Sequence, residues 1–95
     1  MQITSKQARY LKSEAMTLKI FFQVGKEGVG ENFYDLVDKA LEAHELIKFR
    51  LLQTVSSPVR EIALDVASNT NSVIVQIVGK VITLYRPSKN KIYKI

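Results

Sequence analysis

The sequence predicts an α/β (α+β) fold: one domain, ordered α-β-α-β-α-β-β, around a mixed four-stranded sheet. Three observations predict it. Apolar residues recur with helical spacing in some stretches and alternate with a period of two in others, and the two kinds of stretch follow one another along the chain. A two-residue Gly79-Lys80 link separates the last two alternating runs, which makes them a hairpin. The 95 residues are 46% hydrophobic and 24% charged with no cysteine, which suits one modest core without disulfide or thiolate metal staples.

Thr4 or Ser5 can cap a first helix running to about Leu18. Leu11, Ala15 and Leu18 form its apolar stripe, and Lys6, Arg9 and Lys12 recur along a neighbouring flank. Lys19 to Val24 alternates Ile20, Phe22 and Val24 against Lys19, Phe21 and Gln23, the pattern of a half-buried strand. Phe33, Leu36, Val37, Ala40 and Leu41 then follow the helical period, with acids on the other side.

Leu46 to Leu52 reads as a second strand, with Ile47, Phe49 and Leu51 on one face and Lys48 and Arg50 on the other. Ser57-Pro58 reads as a capping hydroxyl followed by proline at the first helical position. Val59, Ile62, Ala63, Val66 and Ala67 carry that helix, and Asn69 to Ser72 ends it. Val73–Val78 and Val81–Arg86 are the hairpin strands, and glycine at the first loop position predicts a type II′ turn. The strand–helix–strand units require crossovers, and at least two helices share one face of the sheet. Where the first helix docks does not follow from its weak stripe. Residues 87–95 read as a basic tail of the single domain spanning 1–95.

Fourteen Lys and Arg against nine Asp and Glu give a net charge of +5 and a pI near 9.6. The charge is unevenly spread. Six acids and one cation, Lys39, lie between Glu27 and Glu45, whereas Lys80, Arg86, Lys89, Lys91 and Lys94 follow without an acid. A polarised basic chain favours a polyanionic partner. The N-terminus has no apolar signal-peptide core, and no apolar run approaches the ~18 residues of a membrane span. The expectation is a cytosolic chain with no membrane association.

Three of the four glycines fall within QVGKEGVGEN, between the first strand and the second helix. A P-loop would need Lys and Ser or Thr after Gly30, where Glu31-Asn32 stand. A dinucleotide fingerprint would need Gly or Ala at position 33, where Phe33 belongs to the core stripe. What is left is G-x-x-G: Gly25, Lys26, Glu27 and Gly28. Two glycines let a sugar-phosphate chain approach the backbone, the helix start offers free N–H groups, and Lys26 adds charge. KH-type loops clamp single-stranded RNA in this way, although Glu27 opposes the charge. The same glycines would also serve a turn that binds nothing, and four residues do not decide between the two.

VGKEGVGENF, ALEAHELIKFRLL and VIVQIVGKVITLYRPSK, at this spacing, closely resemble the YhbY-like family, the chloroplast RNA splicing and ribosome maturation (CRM) domain. The resemblance runs from Thr4 to Lys89. It implies a four-stranded mixed sheet with three helices, similar to the C-terminal domain of translation initiation factor three, and a KH-like GxxG loop. Stand-alone bacterial members associate with precursors of the large ribosomal subunit. The chain departs from the family where Gly30 replaces a common helix-capping Thr, and where Ala43-His44 replaces a pair of histidines.

The expected function is therefore RNA binding without catalysis, on rRNA in a large-subunit precursor, assisting ribosome assembly as a monomer without cofactor or metal. Gly25, Lys26, Glu27 and Gly28 form the expected clamp. Lys6, Arg9, Lys12, Lys48, Arg50, Lys80 and Arg86 extend the footprint, and Tyr85 is either a stacking or a core aromatic. An mRNA or translation regulator is the alternative of the same class, and a protein-interaction module with a basic surface is the alternative of another. His44, the only histidine, is a helix-end residue rather than a catalyst.

Overall fold

The structure, a computed structural model, describes residues 2–95. The chain forms α1 (Ser5–Ala15), β1 (Phe22–Val24), α2 (Glu31–His44), β2 (Leu46–Leu51), α3 (Val59–Thr70), β3 (Val73–Val78) and β4 (Val81–Tyr85). The sheet order is β1-β2-β4-β3: β1 and β2 pair parallel, and β4 runs antiparallel to both neighbours. Strand β4 thus inserts between β2 and β3, an order that element types alone leave open.

The two crossovers step the same way across the sheet, and their common hand places α2 and α3 on one face. Their apolar stripes meet Ile47, Phe49, Leu51, Ile82 and Leu84 in the main core. An edge-to-face series, Phe22–Phe33–Phe49 with centroids 5.8 and 5.3 Å apart, ties β1 and α2 to the sheet.

Helix α1 packs on the opposite face. Its buried Leu11 and Ala15 meet Leu46, Val75 and Tyr85 in a second cluster. Tyr85 is thereby a core residue, not a stacking platform, and burial, with the Glu45 carboxylate nearby, pushes its phenol above the usual 10.0. The Thr4 hydroxyl accepts from the Gln7 amide and Gln7 Oε1 accepts from the Thr4 amide, a full capping box.

Several boundaries differ from the sequence reading. Helix α1 ends at Ala15 rather than near Leu18, and Leu18 packs beside the second cluster after the chain has left the helix. Only Phe22–Val24 pairs as β1, although the Phe21 amide already donates to the Lys48 carbonyl. Helix α3 begins at Val59 with Pro58, not Ser57, at the N-cap and with no side-chain capping bond. Proline still suits the start, since the orphan N–H there would have had no partner. Asn71, left-handed at φ 52°, ends α3, and the Ser72 amide reaches back to the Ala67 carbonyl at 3.0 Å. In the hairpin turn Gly79 has φ +59° while Lys80 stays negative, the combination of a type II′ turn.

The C-terminal segment is held to the domain rather than trailing as a tail. Glu45 is fully buried, with φ +65° at the end of α2. Its carboxylate accepts from the Ser88 amide (2.8 Å), the Ser88 hydroxyl (2.7 Å) and the Tyr93 amide (2.9 Å). Burial pushes this carboxyl upward, but the N–H groups of Tyr93, Ser88 and Ile92 and the Ser88 hydroxyl outweigh it and hold the group below the usual 4.5.

Candidate nucleic-acid interface

Strand pairing decides which cations meet. Because β1 and β2 are parallel, the loop after Val24 and the end of β2 leave the sheet together: the Leu52 amide donates to the Val24 carbonyl at 2.9 Å. The β3–β4 turn joins them there, with the Leu51 amide donating to the Lys80 carbonyl at 2.8 Å. Thus Gly25–Gly28, Arg50 and Lys80 lie at one end of the sheet.

Register extends this group inward. Arg50 stands between Gln23 and Val81, and Lys48 stands beside Thr83, all on the face opposite α2 and α3. Helix α1 covers only the far end of that face, around Leu46 and Tyr85, so Arg50 is exposed and Lys48 half-buried. Lys6, Arg9 and Lys12 are exposed on α1 and carry positive charge to the other end of the same face. The acids of α2 lie on the opposite layer. The unevenness of charge along the chain has become a difference between two faces.

The loop itself is a tight turn: the Gly28 amide donates to the Gly25 carbonyl at 2.9 Å, and Lys26 and Glu27 project as exposed side chains between them. The glycines differ in what requires them. Gly28 has φ +74°, which a side chain rarely adopts, so backbone geometry alone accounts for it. Gly25 has no such angle, and a Cβ there would make ordinary contact with Leu52 Cδ1 at 3.9 Å. Neither backbone nor packing demands glycine at position 25. A Cβ at Gly28 or Gly30 would meet nothing within 4 Å, so this surface is open to an approaching chain.

Gly30 is the N-cap of α2 in extended backbone and gives no side-chain capping bond. The first-turn amides of α2 therefore face outward without a capping acceptor. Negative groups adjoin the loop as well. Glu27 lies in the turn, Glu31 in the first turn of α2, and Lys26 shares a cleft with Ser56 and Ser57 of the β2–α3 connection and with Glu61 and Asp65 of α3.

Arg86, expected in the footprint, is engaged elsewhere. Its Nη1 donates to Asp38 Oδ1 (2.6 Å) and to the Thr70 carbonyl (2.7 Å), and its Nη2 to the Asp38 carbonyl (3.0 Å) and Glu42 Oε1 (3.4 Å). It clamps α2 to the end of α3 from the end of the sheet remote from the loop. The sequence showed a cation following a strand; only the fold shows acids waiting for it. Among the described residues Arg86 makes the only ion pairs, so the remaining expected cations have none.

His44 stacks edge-to-face on Phe21 with centroids 5.1 Å apart, a packing role at the helix end. Among the described residues no group of three His, Asp or Glu is placed to hold a metal, and no helix is long and apolar enough to cross a membrane. A glycine turn, an uncapped helix start and unpaired cations can bind a phosphate backbone by charge and hydrogen bonding.

This combination of fold and loop defines a small basic α/β domain, three helices on a mixed four-stranded sheet with a glycine turn at one end. Residues 3–86 match the CRS1/YhbY (CRM) domain, and the chain belongs to that family. It is 41% identical over 87 residues to the "Probable RNA-binding protein YqeI" of Bacillus subtilis, covering 92% of this chain and 91% of that one. A Haemophilus influenzae protein named "RNA-binding protein" is 30% identical over 87 residues, covering 92% of this chain and 88% of that one. The solution structure of the hypothetical protein SAV1595 from Staphylococcus aureus superimposes with a TM-score of 0.80 at 40% identity, covering 95% of this chain and 94% of that one.

Proposed function

We propose that this chain binds single-stranded or looped RNA without catalysis, gripping the backbone at the loop end of the sheet. The observation that carries the reading is that Lys26, Arg50 and Lys80, none of them in an ion pair among the described residues, share one end of the sheet with a turn whose Gly25 neither backbone nor packing requires. Gly25 and Gly28 admit the backbone, the α2 amides and Lys26 meet phosphate, and Lys48 extends the contact across the open face. The names of the relatives support the same reading.

The RNA we propose is rRNA in a precursor of the large ribosomal subunit, with the chain acting in the cytoplasm as a monomeric assembly factor. This rests on the resemblance of its segments to the stand-alone bacterial members of the family. Two measurements test the function. Binding to single-stranded RNA should weaken with salt at a log–log slope of several times −0.7, one unit of −0.7 per phosphate neutralised. Sedimented lysate should carry the protein with large-subunit precursors. Equal affinity for polyglutamate and RNA would leave only generic charge attraction and refute the proposal.

A further inference from the structure

The end of the sheet remote from the glycine loop carries an aromatic arrangement that the proposed backbone clamp does not use. Tyr10 on α1 is 43% exposed, on a helix that otherwise buries its apolar face. Its ring sits edge-to-face on Tyr93 at 6.4 Å, and Tyr93 sits in the same way on fully buried Tyr85, also at 6.4 Å. The three rings form a series from core to surface with Tyr10 at the outer end.

Tyr93 can support Tyr10 only because the C-terminal segment is fixed. The buried Glu45 carboxylate accepts the Tyr93 and Ser88 amides, anchoring that segment against α1. The result is a shallow, mainly apolar cleft lined by Lys6, Gln7, Tyr10, Lys94 and Ile95. An exposed ring held from behind, with Lys6, Lys94 and the Gln7 amide lining the same cleft, has the parts of a nucleobase platform. The base stacks on the ring, and its flanking phosphates meet ammonium groups. Glu14, one helical turn beyond Tyr10, bounds the platform on the other side, so the backbone must run along the Lys6 and Lys94 side.

We infer that Tyr10 is a second RNA contact, a stacking site for an unpaired base, with Lys6 and Lys94 holding the adjacent phosphates. The inference rests on the RNA-binding reading but concerns the opposite end of the molecule. Together the two sites make the chain read single-stranded RNA at two separated points, one by backbone and one by base.

The chain has no tryptophan, so Tyr10→Trp introduces a single reporter at the site. With a single-stranded oligoadenylate, Tyr10→Ala should weaken binding about tenfold, whereas Tyr10→Phe and Tyr10→Trp should bind like the parent. The indole of Tyr10→Trp should be quenched as oligoadenylate saturates. Inorganic polyphosphate, which has charge but no base, should bind parent and Tyr10→Ala alike. If Tyr10→Ala binds oligoadenylate like the parent while Gly28→Asp does not, the platform is refuted and the backbone clamp stands. If the parent binds no RNA, both fall. An indole that responds to phosphatidylserine vesicles and not to RNA would make the cleft a membrane contact and overturn the inference.

Discussion

The Leu51 amide donates to the carbonyl of Lys80 at 2.8 Å, and this bond joins the end of β2 to the β3–β4 turn. It brings Lys80 beside Arg50 and the glycine loop although more than twenty residues separate them in sequence. Lys80→Ala and Arg50→Ala should each reduce the magnitude of the salt slope for single-stranded RNA by about 0.7, one phosphate contact apiece. Titrations across a salt series measure it. Unchanged slopes in both variants would remove the sheet end from the interface.

Arg86 should behave oppositely. Arg86→Ala leaves the Thr70 carbonyl and the Asp38 carboxylate without their donor, and the lost charge-assisted bonds are worth about 2 kcal/mol. For a domain of this size that lowers the melting temperature by about 10 °C. The RNA affinity of the folded fraction should stay at the parent value. Calorimetry and binding at low temperature separate the two effects, and a large affinity loss with an unchanged melting temperature would return Arg86 to the interface.

Glu45 sets an acid limit. Its carboxyl titrates below the usual 4.5, so over the interval between its folded value and 4.5 the unfolded chain holds more protons. The stability it contributes is present above that interval and is lost as pH falls through the folded value. Glu45→Gln should be about 2 kcal/mol less stable near pH 7, because a neutral oxygen replaces a charged acceptor of several bonds. The gap should narrow in strong acid. Denaturation at several pH values checks this, and a pH-independent gap would contradict the bonded carboxylate.

The alternation of periods made the element order legible, and Gly79-Lys80 made the hairpin legible. The strand order was not, because placing β4 between β2 and β3 depends on contacts that no local period encodes. Helix α1 docks through just two buried residues, Leu11 and Ala15, a stripe too weak to tell in sequence which face of the sheet it meets. At the site, Lys26 and the glycines were visible as a motif, and Lys48 and Arg50 as one strand face. Arg86 read as an unengaged cation because its acidic partners, Glu42 and Asp38, lie 44 and 48 positions away. Tyr10 escaped notice because its support, Tyr93, lay in what read as a tail.

Gly30 caps α2 without a side chain, in an extended conformation that any residue can adopt. Gly30→Thr should supply the missing acceptor and reduce the freedom of the unfolded chain, together worth about 0.5–1 kcal/mol. The melting temperature should rise by about 3–6 °C. A fall would mean that the hydroxyl fails to reach the first-turn amides.

The most direct measurement of the central claim is RNA affinity in three folded variants of the loop and its neighbour. Lys26→Ala removes one charge-assisted contact and should weaken single-stranded RNA binding about tenfold. Gly28→Asp places a carboxylate in open space beside the expected phosphate, at a φ of +74° that Asp tolerates better than most residues, and should weaken binding further. Lys39→Ala, on the acidic helix of the other face, should leave affinity at the parent value. Lys26→Ala and Gly28→Asp proteins that stay folded and bind RNA as tightly as the parent would show the glycines to be a turn and nothing more.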